Sequence, residues 1–303
     1  MNTALYSQLD ELIAWRFHVK QKTLHSHQKL LASSQGDQHA VRKGRGMTFS
    51  EVRQYQAGDD IRHIDWRVTA RTQKTHTKLF IEEHERPTMF VLEQSPALFF
   101  GSQVRLKTAQ ALNLAAILGW ISLQQQEKVG GICFNGQQQL WFAPQKSQNN
   151  LLHFLQESIA LQQQLQQPGT AQPQAWLAAI QRLQKNVKPG SRIFLIGDLL
   201  SFEAPLFAAL KPLLSHTEIL AIHLFDSLEK HLPELGWLSL EGQQGQTLRL
   251  DSFRRQTREH YQHHYQQRWE QLQHNFYQLR IPVIEIANHE APVQALAHAH
   301  WIH

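Results

Sequence analysis

Six short β-rich runs that alternate with helical ones along most of the chain constrain its fold more than any other feature. Candidate strands at 88–92, 129–134, 140–142, 192–196, 218–225 and 283–286 interleave with candidate helices at 103–125, 150–163, 174–185, 204–214, 252–279 and 292–297. That rhythm predicts an α/β protein built on a doubly wound sheet. Residues 240–250, with Gly242 and Gly245, predict a hairpin. The Gln-rich run 162–174, with Pro168-Gly169 and Pro173, predicts an exposed connection. At 303 residues the chain can bury a sizeable core and suits one large domain plus an appendage, or two modest domains.

The appendage is the amino-terminal part. A helix is predicted around Leu12-Ile13-Ala14-Trp15, followed by a block of unusual charge density. Between Arg42 and Arg86 there are ten Lys or Arg and seven acids, about 38% of the segment against 18% for the whole chain. A phosphate-binding surface carries a large excess of one sign, whereas near-balance among aromatics suits an internally paired network. The block is therefore expected to be a clasp of Arg45, Arg53, Asp59, Asp60, Arg62, Asp65, Trp66 and Arg71. Gly44, Gly46 and Gly58-Asp59-Asp60 supply turns, and Ile61, Ile64 and Trp66 supply apolar anchors. Asp59 or Asp60 is placed to cap a turn and to face the guanidinium forks of Arg53, Arg62 or Arg67. The bland alternative is a solvated face whose pairs contribute about 0–1 kcal/mol each, and a partner-binding surface is the third reading.

At these residues the chain resembles a known family. Gly44, Gly46, Phe49, Val52, Arg53, Tyr55, Gly58, Asp59, Asp60, Arg62, Ile64, Asp65, Trp66, Ala70 and Arg71 fall in register with the hallmark of the bacterial domain of unknown function 58. The resemblance implies a von Willebrand factor A-like domain over 87–303, preceded by the helix and clasp over 1–86. It also implies a non-enzymatic, protein-binding role as an adaptor or chaperone-like partner of a MoxR-type AAA+ ATPase.

In a doubly wound sheet, ligands gather beyond the carboxyl ends of the strands. A von Willebrand A-like domain places Asp-x-Ser-x-Ser there and adds a Thr and a distal Asp to cage magnesium, which wants about six oxygen ligands. By that resemblance Glu93 stands where the family has Asp, Ser95 matches the first Ser, Ala97 replaces the second, and Asp198 matches the distal Asp. Thr170 lies in the region of the missing Thr. A lost hydroxyl and a carboxylate one methylene longer point to a degenerate site that holds no metal, its rim of Glu93, Ser95 and Asp198 serving to dock a partner.

Composition limits the remaining options. A formal charge of +5 and a pI near 9.3 allow an acidic partner without demanding nucleic acid. Cys133, the single cysteine, excludes an internal disulfide and is expected to be a buried inert thiol. No run reaches the roughly 20 apolar residues of a membrane span, and the start of the chain lacks the pattern of a secretory signal, so a cytoplasmic location is expected. His260 and His264 share an i, i+4 helix face without an obvious third ligand. No nucleophile motif or phosphate-binding loop accompanies the His63/Asp65 pair, so no catalytic residue is assigned. Two rival functions stand beside the adaptor: nucleic-acid binding through the basic block, and hydrolysis through His63 and Asp65.

Overall fold

The computed structural model describes residues 6–24, 47–56, 61, 64–82, 86–167, 169, 172–241 and 247–302. In chain order its principal elements are α1 (Leu9–His18), β1 (Met47–Gln54), α2 (Trp66–Thr72), β2 (His76–Glu82), β3 (Pro87–Glu93), α3 (Lys107–Gln124), β4 (Lys128–Phe134), β5 (Gln139–Gln145), α4 (Gln148–Gln163), α5 (Pro173–Asn186), β6 (Arg192–Gly197), α6 (Ala204–Leu210), β7 (Glu218–Phe225), α7 (Ser227–Lys230), β8 (Trp237–Glu241), β9 (Thr247–Asp251), α8 (Arg255–Gln278), β10 (Val283–Ala287) and α9 (Pro292–His298). They fall into two units, Gly36–Glu85 and the remainder of the chain.

The larger unit is a mostly parallel six-stranded sheet in the order β10-β7-β6-β3-β4-β5, with only β5 antiparallel to its neighbour. Strands covered on both faces read as continuous apolar runs, as in Met89-Phe90-Val91-Leu92 and Ile193-Phe194-Leu195-Ile196. Alternate residues feed two cores. Phe90, Leu92, Phe194 and Ile196 pack with α1, α3, α4 and α9, while Met89, Val91, Ile193 and Leu195 pack with Trp176 of α5 and Trp269 and Phe276 of α8. Cys133 lies in the first core, fully buried, its thiol pushed up to about 12 by burial. The hairpin anticipated at 240–250 is the β8–β9 pair. Gln162, in the run anticipated as an exposed connection, is instead buried, donating to Thr108 Oγ1 at 2.9 Å and accepting from the Ser7 N–H at 2.9 Å.

A boundary after residue 86 groups the first helix with the charged block, but the helix packs on the larger unit. Leu12 is fully buried, Trp120 Nε1 donates to its carbonyl at 2.9 Å, and Trp15 Nε1 donates to Asn113 Oδ1 at 2.6 Å. Leu9, Leu12 and Ile13 of α1 pack into the same core as the apolar residues of α3, and no described helix is long and apolar enough to cross a membrane.

The smaller unit is an antiparallel hairpin of β1 and β2 with α2 between them. Asp65 terminates the chain's approach to α2 and caps it: its Oδ1 accepts the N–H groups of Arg67 at 3.0 Å and Val68 at 3.1 Å. The Asp65 N–H in turn donates to the His76 carbonyl at 2.8 Å, and Thr69 Oγ1 accepts from the His76 N–H at 3.0 Å, tying the helix to β2.

Candidate functional site

The chain runs outward from β3 to β4 and β5, then returns to the other side of β3 to lay down β6. The order of the sheet therefore reverses between β3 and β6, and the carboxyl ends of those two strands flank the place where such sheets take ligands. Glu93 is the last residue of β3, and Asp198 directly follows β6.

The structure brings Glu93, Ser95 and Asp198 together. Ser95 Oγ donates to Glu93 Oε1 at 2.6 Å, and the Asp198 N–H donates to Glu93 Oε2 at 2.8 Å, so both carboxylate oxygens are engaged. Asp198 caps the turn Leu199–Ser201, its Oδ1 accepting from the Leu200 N–H at 3.2 Å. The close approach depends on Gly197: a Cβ there would press on the Glu93 carboxylate and lie 2.6 Å from the Trp176 ring. Glu93 is 1% exposed and Ser95 fully buried, whereas the Asp198 side chain is 20% exposed. Two of the three anticipated rim residues thus lie beneath the surface and cannot themselves touch a partner.

Three further groups complete the cluster. Lys107, the first residue of α3, is fully buried, with Nζ 2.6 Å from Glu229 Oε1 and 3.6 Å from Asp198 Oδ2. Glu229 belongs to a capping box after β7: its Oε2 accepts from the Asp226 N–H at 2.8 Å, and Asp226 Oδ1 accepts from the Leu228 N–H at 2.9 Å. Asp226 also accepts from Ser102 N–H at 2.7 Å and Asn288 Nδ2 at 2.6 Å, which anchors the loop leading from β3 into α3. His223 Nδ1 accepts from the Leu199 N–H at 3.2 Å, leaving Nε2 to carry the proton toward Tyr265 Oη at 3.4 Å. At 3.7 Å from Asp198 Oδ1 this acceptor nitrogen makes no ion pair.

Electrostatics follow from burial and from Lys107. Burial, with the Asp198 charge added, pushes Glu93 up to about 7, and its hydrogen bonds only partly oppose this. Burial draws the Lys107 ammonium down, but Glu229 and Asp198 outweigh it and hold Lys107 above the ordinary lysine value. Asp198, which burial alone would raise, is held below the ordinary carboxylate value chiefly by the Lys107 ammonium. Burial pushes His223 down to about 4, so the imidazole is neutral.

Magnesium does not fit this arrangement. Both Glu93 oxygens already accept hydrogen bonds, Ala97 offers no oxygen, and the Lys107 ammonium sits against the remaining carboxylates, where it repels a second cation. Among the described residues no group of three or more His, Cys, Asp or Glu side chains is arranged to hold a metal, His260 and His264 included. Thr170 lies outside the described residues.

The clasp fares differently. Arg45, Asp59, Asp60, Arg62 and His63 lie outside the described residues. Trp66 is 70% exposed and Ile61 68%, so neither anchors the block; Arg71 is exposed, and Arg53 Nη1 donates to the Gln54 carbonyl at 3.1 Å. Asp65 spends one oxygen on the α2 cap. A buried guanidinium brace does exist, but at the opposite, amino-terminal edge of the sheet: Arg192, 3% exposed, reaches Glu127 at 3.3 Å and Glu218 at 3.2 Å.

Lys107, His223 and Glu229 escape a reading organised around metal ligands. Two of them carry a signal. Asp226-Ser227-Leu228-Glu229 directly after an apolar strand is a capping-box pattern, and Lys107 is the single charge heading the most apolar helix in the chain. His223, inside an apolar strand, carries none.

A family model described as "Protein of unknown function DUF58" matches residues 51–271. Uncharacterized proteins from Mycobacterium bovis and from two strains of Mycobacterium tuberculosis are each 29% identical to this chain over 217 residues, or 71% of it. The match spans 66% of those relatives' own length, just under two thirds. A solved structure of the conserved hypothetical protein BatB from Bacteroides thetaiotaomicron is similar at 15% identity, covering 71% of this chain and 96% of that one, with a TM-score of 0.43.

Proposed function

This chain belongs to the DUF58 family of proteins of unknown function, and from that premise we propose that it is a von Willebrand A-like, non-enzymatic adaptor that docks another protein. The partner we assign is a MoxR-type AAA+ ATPase, to which the adaptor brings a client or whose remodelling work it supports in the cytoplasm. The observation that carries the reading is Trp66. It stands 70% exposed at the first turn of α2, with Ile61 68% exposed nearby in sequence and the exposed Arg67 and Arg71 on the same short helix. Trp and Arg are enriched among the hot spots of protein interfaces, Trp because it buries a large rigid ring and Arg because its planar guanidinium stacks and makes several hydrogen bonds.

The loops over the sheet's carboxyl edge offer a second contact surface. There the exposed positions are Ser102, Gln103 and Val104, on the loop that Asp226 holds in place, whereas Glu93 and Ser95 act from below by fixing the loops. The test is copurification with the ATPase at physiological salt, wild type against Trp66→Ala. The adaptor reading expects capture by wild type and a loss of about tenfold or more in the variant, in the range of an interface hot spot. An ATPase that neither copurifies nor changes its rate on mixing would dismiss it.

A further inference from the structure

We infer that Lys107 is a tethered cation standing in for a divalent ion at the switch point of this sheet, so that the carboxyl edge is closed by the chain's own charge and takes no metal. Four oxygen-bearing side chains converge there from separate elements: Glu93 ends β3, Ser95 follows it, Asp198 follows β6, and Glu229 lies in α7. Oxygen donors of this kind, three of them carboxylates, attract a divalent cation such as magnesium or manganese, but with the lysine among them they are not arranged to hold one. The positive charge among them is instead an ammonium 2.6 Å from Glu229 and 3.6 Å from Asp198.

Its position argues that the charge itself matters. Lys107 is the first residue of an 18-residue helix, where the positive end of the helix dipole disfavours a cation. It is also fully buried, where an unpaired ammonium costs several kcal/mol. A methionine or leucine would fill the same space in contact with the core at neither cost. Retaining a lysine makes sense when the acids around it require a counter-charge, and a covalently attached one is present at any metal concentration. Partner docking at this edge is then independent of divalent ions, and no carboxylate of a partner reaches the cation. This inference rests on the ion chemistry of the edge alone and stands or falls apart from the adaptor role.

The experiment titrates manganese into the full chain and follows it by electron paramagnetic resonance, with melting curves in EDTA and in magnesium. Wild type is expected to bind no manganese at this edge and to melt identically in both buffers. Lys107→Gln keeps the volume and a donor to Glu229 but removes the charge. It is expected to bind manganese at least tenfold more tightly than wild type and to melt higher in magnesium than in EDTA. The double variant Lys107→Gln/Asp198→Asn is expected to lose that gain. Should Lys107→Gln fail to fold, its refolding with and without manganese gives the same answer, since rescue by the ion supports the inference and absence of rescue overturns it. Manganese bound by wild type and lost in Asp198→Asn, or a folded Lys107→Gln that ignores divalent ions, also overturns it.

Discussion

Lys107 Nζ lies 2.6 Å from Glu229 Oε1, joining the first turn of α3 to the capping box beyond β7 through a pair shielded from solvent on the lysine side. Removing one member of a buried pair leaves an uncompensated charge, at a cost of about 3–5 kcal/mol. Lys107→Met is therefore expected to lose about that much stability in urea denaturation. Adding Glu229→Gln should restore part of it, because the two changes share one interaction. Strictly additive losses would show that the two side chains are not coupled.

Glu93 and His223 give the stability a pH dependence of opposite sign. In the folded protein Glu93 titrates near 7 against an ordinary value of 4.5. Between those values the folded protein holds a proton that the unfolded chain has released, so raising the pH weakens the fold across that window. Glu93→Gln removes the effect. Its melting temperature relative to wild type should rise between pH 5 and 8, by the equivalent of roughly 3 kcal/mol at most. A difference constant across that range would contradict the raised value.

His223 works the other way. Its folded value near 4 lies below the ordinary 6.5, so between them the unfolded chain takes up a proton that the folded protein refuses. Lowering the pH from 6.5 toward 4 therefore costs stability, and the loss should stand out in the Glu93→Gln background, where the opposing slope is gone. Nuclear magnetic resonance of the imidazole checks it directly: His223 is expected to stay neutral at pH 5.5 and to keep its proton on Nε2.

Asp65→Ala removes the α2 cap. Such caps contribute about 0.5–2 kcal/mol, so the smaller unit should be destabilised by at least about that much. A loss of 3–5 kcal/mol from Asp65→Ala, the magnitude for a broken buried ion pair, would show that the carboxylate faces a buried guanidinium in addition to the helix.

Gly197→Ala tests how tightly β6 approaches Glu93. With the new Cβ meeting the Glu93 carboxylate and the Trp176 ring, overpacking should cost about 1–3 kcal/mol. The perturbation should also move the titration of Glu93, which unaltered chemical shifts at Glu93 would rule out.

The sheet was legible because its strands are buried on both faces, so stretches such as 193–196 and 219–222 are wholly apolar, and the expected bounds 192–196 and 218–225 agree with β6 and β7 to within a residue. Glu93 and Asp198 were legible for a related reason: a carboxylate directly after such a run falls at a carboxyl edge, and the topology brings these two edges together. The signature block was not read as strands. Alternating charges in 47–54 and 76–82 mask the period-two pattern, and the pairing partners are separated by the whole of α2. The pairing of the site's cation was not visible, since Lys107 comes from a helix terminus and meets Glu229 122 residues away, a contact with no local spacing to betray it. The exposure of Trp66 likewise depends on the tertiary placement of α2, which charge balance alone does not determine.

The most direct test of a carboxyl edge closed by its own lysine is a crystal structure of the full chain grown in magnesium. We expect an ammonium between Glu229 and Asp198, with Ser95 and the Asp198 N–H still bonded to Glu93. An octahedral ion coordinated by Glu93 and Ser95, with Lys107 turned away from the acids, would contradict the account.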